Sequence, residues 1–418
     1  MCVDLVPEKT KLQLFLPKTH IPFETHLKSS SPVSMNNQKI EFVTHTEHVG
    51  IVRSTNGNLP NILDRISAHK KSIGAVLSAG LGRGHRSNPT AGLHVNKLYG
   101  TPVLMSGLPS MVLKKHEVDL VNQHYKKTLL NLQRLHDKTP ECVVYFLGGH
   151  LPGEAILHLR QLSLLSMISR LPHNVLHQHA IHILTAAKPG SQSWFIQVQD
   201  LCLMYSLPHP LTLLQSSPSK ATFKKLVKSR VLDFWEKKLR ADAKLLSSLL
   251  YFRPNFMSLD SPHPLWLTAG TNPYEVNKAT IQARMLSGRY RCELLCRHWS
   301  SNKAGLCLLP DCKDPGTCED LPHILIACKS LIPIRTRIRL FFSNFISTRH
   351  AISNIVSSFL NSEDLHFQTH FLLDCSTLPE VISCHQLYGD KVFQDLFYMT
   401  RTWCYALHRE RLRLLGRW

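Results

Sequence analysis

A cluster of potential metal ligands between residues 307 and 328 constrains the fold of this chain more than any other feature. Its spacing is C-x4-C-x5-C-x4-H-x4-C, and its members are Cys307, Cys312, Cys318, His323 and Cys328. Zinc holds structural sites through four tetrahedral Cys or His side chains, and a segment with little core of its own gains folding energy from the metal. The cluster therefore predicts one structural Zn²⁺ site.

Five candidate ligands compete for four positions around the metal. One set is Cys307, Cys312, His323 and Cys328; the other replaces Cys307 with Cys318 and ends in the C-x4-H-x4-C spacing of a zinc knuckle. Neither set has a C-x2-C step, and buried thiols without metal are an alternative because free cysteine is among the most buried residue types. We expect zinc at the first set, with Cys318 spare.

The charge of the chain points to a polyanionic partner. Its 418 residues include 49 Lys plus Arg and 29 Asp plus Glu, a formal charge of +20. Such an excess favours nucleic acid or an anionic membrane surface, while 43% hydrophobic residues are typical of a globular protein. No apolar run has the roughly 18 residues of a membrane helix, and the start does not match a signal peptide. We expect an intracellular protein of the nucleus or cytoplasm, with no membrane partner.

One helical segment combines a buried stripe with many cations. Over residues 223–240 an apolar residue recurs every four positions: Phe223, Val227, Val231, Trp235 and Leu239. The cations that lie off this stripe are Lys224, Lys225, Lys228, Arg230, Lys237, Lys238 and Arg240. A charge run of this kind is either a solvated face or a surface that follows a nucleic-acid backbone.

The remaining pattern predicts a mainly α-helical protein with a small β remnant at its start. A short strand is expected within residues 9–17, followed by a strand pair at 40–43 and 48–52 around a turn at 44–47. Longer helices are expected at 61–79, 111–136 and 154–171, and a basic amphipathic helix near the carboxyl terminus.

Signatures of catalysis are missing from the sequence. It has no adjacent aspartates to hold two metal ions, no G-x-S-x-G, no H-E-x-x-H and no G-x-x-x-x-G-K-S/T. Cys404 and His408 could imitate a nucleophile and its base, but a thiol on a terminal basic helix is expected to be inert. The sequence therefore predicts binding without turnover, and no catalytic residue.

Several segments resemble reverse transcriptases of LINE-type (non-long-terminal-repeat) retrotransposons. Val3–Leu12 is similar to the segment after the catalytic aspartates of these enzymes, and His48–Ile51 to the primer-grip hairpin. Gln282–Arg291, which contains L-S-G-R-Y-R, leads into Leu306–Cys312 and Leu321–Cys328, and these resemble the Cys/His zinc segment near the carboxyl end of such polyproteins. The resemblance covers nearly the whole chain.

The resemblance implies roles for individual residues. Lys9 and Lys11 would lie beside the incoming nucleotide, and residues 48–50 near the primer end. The helices after Asn61 would form a thumb that follows template and primer backbones, and the partner would be RNA, DNA or an RNA–DNA hybrid, together with the rest of the polyprotein. The residues expected to contact nucleic acid are Lys9, Lys11, Lys224, Lys228, Lys237, Arg240, Arg289 and Arg291.

The expected organisation follows from the same comparison. A palm-end remnant would occupy residues 1–60, a helical thumb-like region 61–265, the zinc segment 266–335 and a helical carboxyl-terminal region 336–418. The fingers and the palm aspartates of the family are missing from this sequence, so the chain is expected to be a catalytically inactive, nucleic-acid-binding portion of a reverse transcriptase. The alternatives are one part of an active polymerase whose other half is encoded upstream, and a degenerate copy without a selected role.

Overall fold

The fold is known from a computed structural model of the chain. The described residues are 11–12, 34–35, 38–48, 50–55, 57–78, 87–171, 174–186, 191–297, 304–312 and 316–417.

The β structure consists of three two-stranded pairings near the start of the described residues. One is parallel, between β1 and β4, and two are antiparallel, β2 with β3 and β5 with β6. The strands are β1 Lys11–Leu12, β2 Ser34–Met35, β3 Gln38–Lys39, β4 Glu41–Phe42, β5 His45–His48 and β6 Ile51–Ser54.

A hairpin forms close to the expected strand pair, but its strands and its turn differ from the prediction: β5 pairs with β6, and β4 pairs with β1 instead. The turn was expected at residues 44–47, between strands at 40–43 and 48–52, whereas residues 45–48 form strand β5, with His48 opposite Ile51. The chain reverses next to Gly50, whose φ of 71° lies in the left-handed region that glycine adopts at little cost. The turn therefore lies where the glycine is, and not at the polar run that precedes it.

Helices make up most of the rest of the described chain, which confirms the expected mainly α fold with a small β component. Each long helix that the apolar periodicity predicted is present. The α-helices of the described residues are, in chain order, α1 Leu59–Val76, α2 Pro89–Val95, α3 Thr101–Leu104, α4 Lys115–Gln133, α5 Glu141–Gly148, α6 Gly153–Ser169, α7 Val175–Ala186, α8 Trp194–Met204, α9 Pro210–Gln215, α10 Lys220–Lys244, α11 Pro264–Leu267, α12 Pro273–Leu286, α13 Glu293–Arg297, α14 Ile332–Ile346, α15 His350–Asn361, α16 Leu365–Asp374, α17 Pro379–Tyr388 and α18 Lys391–Leu414.

The chain divides into two compact units. One comprises residues 1–73, 98–124 and 153–228, and the other residues 74–97, 125–152 and 229–418. The domain boundaries expected from the sequence stay a prediction.

The first unit has a small apolar core where four helices meet. Ile168 of α6, Ala180 of α7, Phe195 of α8 and Leu214 of α9 are buried against one another. Trp194 adds a hydrogen bond at this core: its indole N–H donates to the carbonyl of Pro109 at 2.7 Å.

The second unit is organised around the terminal helix α18, which packs against α12, α14, α16 and α17. Its core is aromatic: Trp403 is fully buried, and its ring lies 5.4 Å from that of Phe342 and 5.5 Å from that of Phe359. Within the described part of the chain, no helix has the length and apolar character needed to cross a bilayer.

Candidate metal centre and candidate nucleic-acid surface

The structure brings the first of the two ligand sets together. The ligand atoms of Cys307, Cys312, His323 and Cys328 all lie within 4.8 Å of one another, and all four residues are buried. Cys318 is exposed, and its backbone is occupied in an isolated antiparallel bridge with Leu306. The group can hold a metal ion, and it excludes the cysteine that the knuckle-like set requires.

Local backbone structure explains how each ligand is placed. Cys307 follows the bridge residue Leu306 and donates its N–H to the carbonyl of Thr317 at 3.0 Å. A 3₁₀ turn, Pro310–Cys312, ends at the second cysteine. The π turn His323–Ala327 begins at the histidine, where Asp320 Oδ1 accepts the His323 N–H at 2.8 Å.

The four side chains have the donor chemistry of a metal site. Nε2 of His323 is buried and has no hydrogen-bond partner among the described residues. The sulfurs of Cys312 and Cys328 are 3.4 Å apart, and the backbone N–H of Lys329 donates to Cys312 Sγ at 3.2 Å. A buried imidazole nitrogen without a partner is costly, and a metal ion would satisfy it. The residues present therefore fit a metal ion that prefers thiolate ligands.

The hydrogen bond between Cys307 and Cys328 shifts the pKa values of the two thiols in opposite directions. A hydrogen bond from Cys328 lowers the pKa of Cys307 to about 4, and the same hydrogen bond, together with burial, raises the pKa of Cys328. Arg335 lies next to the group and donates from Nη2 to the carbonyl of Cys328. A cation at this position compensates the negative charge of thiolates in a buried site.

A buried ion pair anchors the ligand segment to the terminal helix. Glu319 accepts two hydrogen bonds from Arg411 of α18, Nε to Oε1 at 2.9 Å and Nη2 to Oε2 at 2.6 Å. The two side chains are 0% and 2% exposed. Glu319 Oε2 also accepts the backbone N–H of Glu293 at 2.7 Å. Sequence reasoning missed this pair, because its members are 92 residues apart.

The apolar stripe of α10 is confirmed. All five of its residues are buried, each at most 4% exposed. Lys224, Lys228 and Lys237 are exposed. Nζ of Lys238 lies over the ring of Trp235, 4.3 Å from the ring centroid. The helix thus buries one face and presents lysines to solvent.

Arg240 is placed differently from these lysines. Its Nη2 donates to Glu236 Oε2 at 2.6 Å and to the carbonyl of Met257 at 3.0 Å, and its Nε donates to the carbonyl of Pro254 at 3.1 Å. The guanidinium therefore holds the loop around residues 254–257 against α10.

The other expected nucleic-acid residues lie in separate places. Lys9 lies outside the described residues, and Lys11 is in strand β1. Arg289 and Arg291 follow the end of α12, where Arg289 is half-buried and Arg291 exposed. Of the expected contacts that the structure describes, four therefore lie on α10, two follow α12 and one lies on β1.

A Ser–His–Asp cluster lies in the second unit, and no motif in the sequence indicates it. His263 Nε2 is 3.3 Å from Asp374 Oδ2 and 3.4 Å from Ser376 Oγ, and Ser376 Oγ donates to Asp374 Oδ1 at 2.5 Å. His263 Nδ1 accepts the N–H of Leu265 at 3.2 Å. In a catalytic triad the carboxylate and the hydroxyl face opposite ring nitrogens, but here both face Nε2. The cluster joins α11 to the end of α16, and its geometry differs from that of a catalytic triad.

Cys404 is likewise not an activated nucleophile. It is fully buried, and burial raises its pKa. His408 hydrogen-bonds with Tyr290 through Nδ1 at 2.8 Å, and burial lowers its pKa to about 4.

Comparisons with protein-family models, with curated proteins and with solved structures find no match.

Proposed function

We propose that this protein binds RNA or DNA through backbone contacts, carries one structural zinc ion, and does not catalyse polymerisation. The observation that carries the first part is helix α10, whose exposed lysines lie on a helix that is fixed in place by a buried stripe. The formal charge of +20 supports it. The resemblance to the carboxyl-terminal part of LINE-type reverse transcriptases suggests RNA, DNA or an RNA–DNA hybrid as the partner.

The salt dependence of binding tests this proposal. Each phosphate that a lysine neutralises releases condensed counterion, so log K falls with log salt by about 0.7 to 0.9 per contact. Replacing Lys224, Lys228 and Lys237 by Ala should lower the slope by roughly 2. The measurement is fluorescence anisotropy of the full chain with a 20-nucleotide RNA and with the matching RNA–DNA hybrid, over a series of salt concentrations.

A matched variant removes the same charge elsewhere. Lys70, Lys71 and Lys391 are exposed and lie on α1 and α18. Their replacement by Ala should leave the slope close to that of the unmodified chain. Equal slopes for the two triple variants would reject α10 as the binding surface, because only net charge would then matter.

Zinc is the metal that the donor set favours. Three thiolates and one imidazole are soft and borderline ligands of the kind that zinc takes in closed structural sites. A divalent ion with three thiolates has a net charge of −1, and the guanidinium of Arg335 offsets it. Bound zinc would supply a fixed tetrahedral crosslink, and Cys307, Cys312, His323 and Cys328 would hold it.

Metal analysis of the full chain, purified without chelator, tests the assignment. We expect one zinc per chain, with zinc lost in Cys312→Ser and retained in Cys318→Ser. Because Cys318 is exposed and outside the group, it is the matched control. Loss of zinc from both variants would contradict the assigned ligand set. Absence of zinc from the unmodified chain would contradict the assignment of zinc as the metal.

The absence of turnover is tested by primer extension on an RNA template with magnesium or manganese. Its basis is the lack of adjacent aspartates in the sequence. We expect no incorporation above that of a reaction without protein. Incorporation by the purified chain would instead favour the alternative of a polymerase component.

A further inference from the structure

A basic cavity in the second unit is lined by residues of neither the metal centre nor α10. Its volume is about 480 Å³, within the roughly 300–1,000 Å³ that small-molecule sites occupy. Three segments form it: the turn after α4, helix α12 with the residues that follow it, and His408 of α18. The charged residues of its lining are Arg134, Arg284, Arg289, Arg291 and Asp137.

Four guanidiniums against one carboxylate give the lining a strong positive charge. Asp137 is exposed, whereas Arg134 is 7% exposed and Arg284 is half-buried. Arginine is the cation suited to phosphate, because its planar fork donates two hydrogen bonds in a fixed geometry. The cavity therefore has the electrostatics of an anion site.

The arginines are held in position by the backbone. Arg284 donates from Nε and Nη2 to the carbonyl of Arg134 at 3.1 and 3.0 Å, and Arg134 has a φ of 56°. A non-glycine residue in this left-handed region is uncommon and costs free energy. The contact fixes the two guanidinium-bearing segments against each other.

Gly288 sets the direction in which the chain leaves α12. Its φ is 64°, and a Cβ at this position would lie 2.2 Å from the carbonyl oxygen of Ser248. The N–H of Arg289 donates to the carbonyl of Arg284 at 3.2 Å, which closes the helix end in a Schellman-type motif. This close approach places Arg289 and Arg291 at the cavity.

Arg289 lines the cavity and has one side-chain donor without a partner in the described part of the chain. Its Nε is buried and has no hydrogen-bond partner among the described residues. Buried polar groups are normally paired, so an unpaired guanidinium nitrogen at a cavity calls for an acceptor. A phosphate oxygen supplies both the acceptor and the negative charge.

The neutral part of the lining makes room for more than a phosphate. Leu135 and Ile281 are apolar and buried, and Tyr290 is buried with its hydroxyl bonded to His408. A phosphate group alone would leave these walls and most of the volume unused. A phosphate joined to a flat, partly apolar group fits both parts of the cavity.

We propose that this cavity binds a nucleotide through its 5′-phosphate, with Arg289 as the principal phosphate contact. The nucleotide is either free or the 5′-phosphorylated end of a strand, since the two offer the same chemistry. This site does not depend on α10, so it stands even where the lysines of α10 are only a solvated face.

Calorimetric titration of the full, metal-loaded chain tests the proposal. The probes are adenosine and uridine 5′-monophosphate, the two nucleosides, inorganic phosphate, and one oligonucleotide with either a 5′-phosphate or a 5′-hydroxyl. We expect saturable binding of the monophosphates and a preference for the phosphorylated oligonucleotide. Nucleosides that bind as tightly as their monophosphates, or inorganic phosphate that binds as tightly as both, would overturn it.

Variants locate the binding. Arg289→Gln should lower the affinity for the monophosphates about tenfold or more, since a hydrogen bond to a charged group is removed. Arg291→Gln should lower this affinity less. Arg297→Gln is the control, because Arg297 is exposed, lies outside the cavity lining and removes the same charge. Equal affinities for Arg289→Gln and Arg297→Gln, in chains with unchanged circular dichroism, would reject the site.

The same titrations separate this proposal from backbone binding by α10. Binding of the 5′-hydroxyl oligonucleotide reports contacts along the backbone, and its loss would count against the proposed nucleic-acid function alone. The ratio of phosphorylated to hydroxyl affinity reports the cavity. A ratio of one, with free monophosphates also unbound, would overturn the cavity assignment even if backbone binding is strong.

Discussion

The metal-ligand segment and helix α10 both place charged chemistry on the fold, but in opposite ways. The segment buries its polar groups: the ligand atoms of its four metal-ligand candidates lie within 4.8 Å of one another, and Glu319 forms a fully buried ion pair with Arg411. Helix α10 buries only apolar residues and leaves lysines in water. In the metal-ligand segment the charged groups stabilise the fold, whereas in α10 the fold holds the charged groups at the surface. Substitutions in the two regions should therefore differ in what they damage.

Removal of the metal should have the largest effect. Structural zinc contributes about 10–16 kcal/mol of apparent binding free energy in small zinc-binding peptides, and that free energy is folding free energy. Chelation should therefore expose the backbone amides of residues 304–312 and 316–331, which hydrogen exchange with mass spectrometry would measure peptide by peptide. Helix α10 serves as the internal reference and should keep its protection. Equal protection of residues 304–312 and 316–331 before and after chelation would contradict a structural role for the metal.

The ion pair between Glu319 and Arg411 gives the next largest effect. Breaking a buried pair leaves an uncompensated charge, which costs about 3–5 kcal/mol. Glu319→Gln should therefore lower the free energy of unfolding by this amount in urea denaturation. The control is Glu410→Gln on α18, the helix that carries Arg411. The partner of Glu410, Arg413, is 59% exposed, so this variant should cost about 1 kcal/mol or less. Similar losses in the two variants would show that burial adds nothing to the first pair.

A pH effect should follow from buried histidines in the second unit. Burial lowers the pKa of His370 to about 4, with a smaller contribution from Arg253. In the unfolded chain the pKa is near 6.5, so below that pH the unfolded state binds the proton first and stability falls until about pH 4. Between pH 7 and 5 the loss from this residue should be about 2 kcal/mol.

His370→Gln isolates this residue from other groups that titrate. Nε2 of His370 is 2.8 Å from Thr377 Oγ1, and a glutamine amide can take over that hydrogen bond. The variant should lose less stability than the unmodified chain when unfolding is measured at both pH values. The same loss in both proteins would assign the acid sensitivity elsewhere, for example to the thiolates.

These cases show which parts could be predicted from sequence. The stripe of α10 recurs every four residues within one helix, and the ligands cluster within one short segment, so local spacing revealed both. The choice between Cys307 and Cys318 depends on the bridge of Leu306 with Cys318, which spacing does not encode. The Glu319–Arg411 pair and the basic cavity join residues that are far apart in the chain. Only the packing of the second unit brings them together.

Arg240 sharpens the comparison on α10 itself, with the smallest expected effect. In sequence it belongs with the lysines of the helix, but it holds two backbone carbonyls of the loop at residues 254–257 and pairs with Glu236. Hydrogen bonds of this kind contribute about 1 kcal/mol each, so Arg240→Ala should cost about 1–2 kcal/mol in stability. Lys237→Ala should stay within about 0.5 kcal/mol, since a surface substitution of this type removes little. Paired urea denaturation and salt-slope measurements on the two variants separate the roles. Arg240→Ala should mainly lower stability and Lys237→Ala mainly the salt slope; the reverse result would mean that Arg240 contacts nucleic acid and that the loop does not depend on it.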